Sequence, residues 1–158
     1  MAQIQSISPC LWFNGQAEAA AAFYVSVFPE SRVQEVVRWP DGGPVPAGSV
    51  LTVRIMLAGQ EFIALNGGPQ FTFNEAVSLS IRCGSQAEVD HYWGLLTEGG
   101  SASQCGWLKD RYGLSWQVVP TALLDLLASP DGVRAARVMS AMMTMGKLDI
   151  ASLQPAAL

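Results

Sequence analysis

Residues 14–28, NGQAEAAAAFYVSVF, and residues 84–96, GSQAEVDHYWGLL, each place Gln-Ala-Glu just behind a strand-like segment and a short break. In the first stretch Ala20, Phe23, Tyr24, Val27 and Phe28 fall at i, i+3, i+4, i+7 and i+8. That spacing gives one apolar face to a helix over Gln16–Phe28, which Pro29 helps to end. In the second stretch Val89, Tyr92, Trp93 and Leu96 do the same for a helix over Gln86–Leu96, and Gly99-Gly100 closes it. A three-residue match alone could be chance. The same order of strand, break and helix around both copies makes internal duplication the better explanation.

Working outward, Ile4–Phe13 is rich in β-branched and aromatic residues and reads as a strand, broken by Asn14-Gly15. Behind the first helix, Arg32–Trp39, Val50–Leu57 and Glu61–Leu65 read as three strands. The turn-rich DGGPVPAG separates the first two, and Ala58-Gly59-Gln60 the last two. Around the second helix the strands are Ala76–Cys83 before it, then Ser101–Gln104, Gly106–Lys109 and Leu114–Pro120. Each copy is therefore βαβββ, over about 4–66 and 76–120, with the boundary near Gly67–Phe73. After Pro120 the chain is helical over about 121–146. Thr121–Ala128 is followed by Asp131–Met145, and Ser129 or Asp131 is the candidate cap. Val133, Ala136, Met139, Ala141, Met142, Met143 and Met145 give the second helix a broad apolar surface, suited to a core gap or a subunit interface. The expected architecture is α+β: two tandem βαβββ units and C-terminal helices in a single domain, 1–158.

Half of the residues are hydrophobic and 14% are charged, which is too apolar for disorder and rich enough to expect cover from another subunit. A net charge of −4, with nine basic residues spread along the length, argues against nucleic acid as a partner. No apolar run approaches the ~20 residues that cross a bilayer, so no membrane partner is expected. Gln3, Gln5 and Ser6 interrupt any secretion-signal pattern, and the expected location is cytoplasmic. Cys10, Cys83 and Cys105 are odd in number and show no CxxC, which reads as free buried thiols in a reducing compartment. A nucleophilic cysteine needs a base, and the sole histidine, His91, falls on or beside the solvent face of the second helix.

The stretches LWFNGQAEAAAAFYVSVFPES, GGPQFTFNEAVSLSI and CGWLKDRYGLSWQVVP, followed by the Met-rich helix and KLDIASL, resemble the PhnB-like branch of the vicinal oxygen chelate (glyoxalase and bleomycin-resistance) superfamily. That branch carries the label 3-demethylubiquinone-9 3-methyltransferase domain, and the resemblance runs from about Ile4 to Leu153. It implies that each unit contributes a curved mixed half-sheet, that the half-sheets enclose a cavity, and that the protein is a homodimer. The label implies methyl transfer to a demethylated ubiquinone precursor.

Three functional readings follow. Glyoxalase-like members hold a divalent metal with residues on the first and last strand of each unit. By motif, those positions fall near Pro9 and at Ala64, Ala76 and Gln117, with Gln5 or Cys10 entering only if the first strand shifts and Glu75 lying just outside its strand. At most one ligand remains where about three are needed, so no metal is expected. A methyltransferase would cradle its adenosyl cofactor in a Gly-rich strand–turn–helix. The pairs Gly42-Gly43, Gly67-Gly68 and Gly99-Gly100 lack GxGxxG spacing, so no cofactor is expected. The third reading is a metal-free cavity for a small organic ligand. It draws on Asn66, Ser78, Ser80, Ser115 and Gln117, with Leu11 and Phe13 on the Pro9 face. Against it stand a collapsed sheet interior that merely contains small polar residues, and an interaction module with no ligand. No catalytic residue is assigned. With Asp110–Gly113 as a four-residue loop, Lys109 pairs with Leu114 and Trp107 faces Trp116, leaving Lys109, Asp110 and Arg111 as a polar hairpin tip.

Overall fold

The computed structural model describes residues 6–158; Ile4 and Gln5, in the expected first strand, lie outside the described residues. The first unit runs β1 (Cys10–Phe13), α1 (Ala17–Val27), β2 (Arg32–Arg38), β3 (Val50–Leu57) and β4 (Gln60–Asn66). The second runs β5 (Ser78–Cys83), α2 (Gln86–Thr97), β6 (Ser101–Ala102), β7 (Trp107–Lys109) and β8 (Ser115–Pro120). Three helices follow: α3 (Thr121–Leu127), α4 (Gly132–Met143) and α5 (Ile150–Ala156). Each unit forms a four-stranded mixed sheet, ordered β1-β4-β3-β2 and β5-β8-β7-β6, with its first strand parallel to its last. The architecture is thus α+β, two tandem βαβββ units with helices at the C-terminus, as the repeat in the sequence requires. The chain divides into compact units between Thr72 and Phe73.

Both sheets bury one face under their own helix. In the first unit Val53, Ile55, Phe62 and Ala64 are buried, as are Ala17, Ala20, Ala21, Tyr24 and Val27 of α1. The first turn of α1 takes no side-chain cap from Gln16; the Ala17 N–H donates instead to Asn66 Oδ1 at 2.9 Å, reaching from the end of β4. In the second unit Cys83, Leu108, Trp116 and Val118 are buried, together with Val89 and Leu96 of α2. There the cap is local: Ser85 Oγ accepts from the Glu88 N–H, and Glu88 Oε2 accepts from the Gly84 N–H. That is a close variant of a capping box.

Several expected boundaries move, each for a local reason. The first strand begins at Cys10, because Pro9 has no N–H to donate and offers only its carbonyl, to Ile63 N. Ala76 and Val77 precede β5, since the Ala76 N–H is taken by Asn74 Oδ1. Strand β6 stops at Ala102, ahead of a turn in which Cys105 and Gly106 both have positive φ and donate to the carbonyls of Met145 and Gly146. The Met-rich helix ends at Met143, with Asp131 as its cap on the N–H groups of Val133 and Arg134.

The β7–β8 hairpin differs in register from the expectation. Lys109 pairs with Ser115, not Leu114, and Trp107 lies opposite Gln117 while Leu108 lies opposite Trp116. Trp107 and Trp116 are therefore on opposite faces. The cause is Asp110, which is no exposed tip residue: it is 2% exposed, and its carboxylate gathers the N–H groups of Tyr112 and Leu114 and the Trp116 indole N–H. Folding the turn around that carboxylate lengthens the loop by one residue, and a one-residue slip exchanges the two faces of a strand.

The C-terminal helices build a separate apolar cluster from Val119, Leu123, Val138, Leu148, Leu153 and Ala157. Burying each of its Val and Leu side chains contributes about 1.5–3 kcal/mol. Gln86, the first residue of α2, ties this segment down. Its Nε2 donates to Leu148 O at 3.0 Å, and its Oε1 accepts from Ile150 N at 2.9 Å. Among the described residues no helix is long and apolar enough to cross a membrane.

Candidate functional site

The face of the second sheet turned away from α2 carries Ser78 and Ser80 of β5, Trp107 and Lys109 of β7, and Ser115 and Gln117 of β8. Register fixes this, since Ser78 pairs with Ser115, Ser80 with Gln117, Trp107 with Gln117 and Lys109 with Ser115. The four polar residues expected here, Ser78, Ser80, Ser115 and Gln117, do share this face. Gln117 Nε2 donates to Ser78 Oγ at 2.9 Å, which fixes the amide across the parallel pair, while Ser80 is exposed.

A cavity of about 180 Å³ opens on this face, lined by Glu75, Ser101, Ser103, Trp107, Lys109 and Ser115 among others. Lys109 Nζ forms an ion pair with Glu75, and that hydrogen bond holds the Glu75 carboxyl below its ordinary range. Ser115 is 1% exposed, and its Oγ has no hydrogen-bond partner among the described residues. An unmade hydrogen bond at a buried hydroxyl costs about 1–3 kcal/mol, so this atom is poised to gain from a ligand oxygen or nitrogen. Sequence reasoning missed Ser101, Ser103, Trp107 and Lys109 as lining residues. Alternation along β7 would have found Trp107 and Lys109 had the hairpin loop been counted as five residues.

The first unit treats its expected site residues differently. Leu11 pairs with Ala64 and Phe13 with Asn66, which puts all four on the helix-covered face. Leu11, Phe13 and Ala64 are core residues, at 5%, 3% and 1% exposure. Both amide atoms of Asn66 are committed, Oδ1 to Ala17 N and Nδ2 to Val50 O at 3.0 Å, and the residue borders a different cleft at the start of α1. The opposite face of β1 carries Cys10 and Trp12. Trp12 donates its indole N–H to Gly68 O and meets Phe71 edge-on at 5.0 Å, filling that position with protein.

The groups the superfamily and its label imply can be tested against these donors. The expected register on the first unit fails, because Ala64 points under α1 and the residues beside it on β4's other face are Ile63 and Leu65. Among the described residues no three His, Cys, Asp or Glu side chains come together. The donor set does not fit a divalent ion. An adenosyl cofactor fits no better: the turns entering α1 and α2 carry one glycine each, and their helix N-termini are occupied by Asn66 and Ser85. His91 is exposed. Cys10 is exposed, contrary to the buried thiol expected, whereas Cys83 is buried and burial pushes its thiol up to about 11.

With this geometry in place, comparison with known proteins gives a consistent picture. The family model described as 3-demethylubiquinone-9 3-methyltransferase matches residues 5–119, which ends within β8 and leaves the C-terminal helices outside it. A PhnB protein from Bacillus cereus, whose name carries the same methyltransferase designation, is 34% identical. The match covers 73% of this chain and 99% of that one, with a TM-score of 0.68. Protein PA1353 from Pseudomonas aeruginosa, at 23% identity over 74% of this chain and 98% of that one, has a TM-score of 0.61. The genomically encoded fosfomycin resistance protein FosX from Listeria monocytogenes shares the fold at 12% identity, over 75% of this chain and 94% of that one, with a TM-score of 0.52. No curated protein matches the chain. The matched span and the repeated βαβββ sheets together place this chain in the 3-demethylubiquinone-9 3-methyltransferase family, a PhnB-like branch of the vicinal oxygen chelate superfamily.

Proposed function

We propose that the chain binds a small organic molecule on the face of its second sheet turned away from α2, without a metal ion and without an adenosyl cofactor, and that it does so as a cytoplasmic homodimer. The observation that carries this reading is Ser115, a residue lining the 180 Å³ cavity whose buried hydroxyl has no partner among the described residues. Trp107 offers an apolar wall beside it, and Ser101, Ser103 and the Lys109–Glu75 pair offer polar contacts. A few polar groups converging in a partly apolar hollow are the ordinary form of a ligand site. Methyl transfer, which the family's name carries, would need an adenosyl donor, and the turns entering α1 and α2 do not offer the glycine-rich cradle such a donor ordinarily uses.

The test is a thermal-shift screen with small phenols and aromatic acids, run on wild type and on Ser115→Ala, with and without EDTA. A ligand that stabilises wild type by mass action should lose most of its shift in Ser115→Ala and keep it in EDTA. Ser115→Ala alone should melt no lower than wild type, because it deletes an unpaired hydroxyl rather than a made bond. Equal ligand shifts in both proteins, or a shift abolished by EDTA, would sink the reading.

A further inference from the structure

A second hollow, wholly within the first unit, has a chemistry of its own. Its volume is about 440 Å³, and Asn14, Glu18, Trp39, Pro46, Ser49 and Asn66 are among the residues around it. That lies in the range of sites for small organic ligands, roughly 300–1,000 Å³, and exceeds what a bare ion needs.

Its lining holds one formal charge, the Glu18 carboxylate, and no Lys or Arg. Arg38, next to Trp39 in sequence, has its guanidinium tied to Gly48 O at 3.0 Å. Neither the Glu18 carboxylate nor the Trp39 indole has a hydrogen-bond or ion-pair partner among the described residues. The Trp39 ring is nevertheless held in place. Its backbone is fixed by Trp39 N to Ser49 O at 2.8 Å and Gly48 N to Trp39 O at 3.0 Å. Gly43 lies against the ring so closely that an added Cβ would come within 3.1 Å of Trp39 Cε3.

A helix start ordinarily favours anions, but here Asn66 Oδ1 already takes the Ala17 N–H, and Glu18 in the first turn repels negative charge. A single carboxylate is too few oxygens for a hard metal ion, which wants six or more. A carboxylate and a preorganised indole lining one hollow are instead the pair that recognises an organic ammonium group. We infer that this hollow is a binding site for a small organic cation, with Glu18 supplying charge and Trp39 the aromatic face. The assignment is independent of the ligand proposed for the second sheet.

Isothermal titration of the full chain with choline, and separately with acetate, tests it. Choline should bind, and its affinity should fall about tenfold in Glu18→Gln and in Trp39→Ala but only a few-fold in Trp39→Phe, which keeps a ring. Acetate should give no binding heat. Glu18 is exposed, so Glu18→Gln should melt with wild type and separates lost charge from lost fold. Ser115→Ala should bind choline as wild type does. The assignment is overturned by choline affinity unchanged in Glu18→Gln, by acetate binding in choline's place, or by no choline binding up to about 50 mM.

Discussion

Asp110 occupies the turn between β7 and β8 with its carboxylate facing inward. It accepts from Tyr112 N at 2.8 Å, Leu114 N at 3.1 Å and Trp116 Nε1 at 2.9 Å. Replacing it by Asn keeps the size but turns an acceptor-only group into one whose NH₂ must face a donor. Asp110→Asn should therefore cost about 2–4 kcal/mol, seen by calorimetry as a fall of several degrees in melting temperature. A fall under about 1 °C would mean that the turn does not depend on this acid. In the sequence Asp110 sits between Lys109 and Arg111, so it reads as one of three solvated charges. Its burial depends on the turn closing around it, which no local pattern announces. Ser78, Ser80, Ser115 and Gln117 were legible as face-sharing residues because their strands alternate. Leu11, Phe13 and Asn66 were grouped correctly with Pro9 and Ala64 by alternation, but the resemblance assigned that face to the cavity, whereas it is the face α1 covers.

Between elements, the backbone approaches tightly in the second unit at Gly100, directly before β6. A Cβ on Gly100 would lie 2.0 Å from Lys109 O and under 3 Å from the backbone of Asp110, neither of which can rotate away. Gly100→Ala should destabilise by at least about 2 kcal/mol, since the β6–β7 edge must open to admit a methyl group. Gly94, inside α2, is the matched control: nothing lies within 4 Å of its added Cβ. Gly94→Ala should be neutral or stabilising by up to about 1 kcal/mol, through helix propensity. Urea titration of both variants distinguishes them, and equal stabilities would refute this packing. At this scale the sequence was informative wherever a period was long enough to count, as in α1, α2 and β3. It failed at loop lengths, where one residue decides which face Trp107 occupies. It also missed α5, a short helix that Asp149 caps through Ala151 N and that contains Pro155.

For the molecule as a whole, an exposed Met139 and Met143 on α4, with Val133 and with Leu124 on α3, leave apolar surface uncovered. The proposed homodimer should accordingly appear as a single dimeric species in sedimentation velocity at micromolar concentration, and a stable monomer there would refute it. The chain also differs from its Bacillus relative in scale, since that protein is matched over 99% of its length while 73% of this one is used. The clasp between Gln86 and the 148–150 segment spans 62 and 64 residues of sequence. On the ribosome, where synthesis runs at roughly 5–20 residues per second, the first unit has all of its own strands several seconds before that clasp can form. Until Leu148 emerges, Gln86 has no backbone to hold and Val119 and Leu123 have no cover. A translation stall inside α4 would therefore deliver a finished first unit joined to an unfinished second one, with the nascent chain's sticky surface concentrated where chaperones and proteases would meet it first.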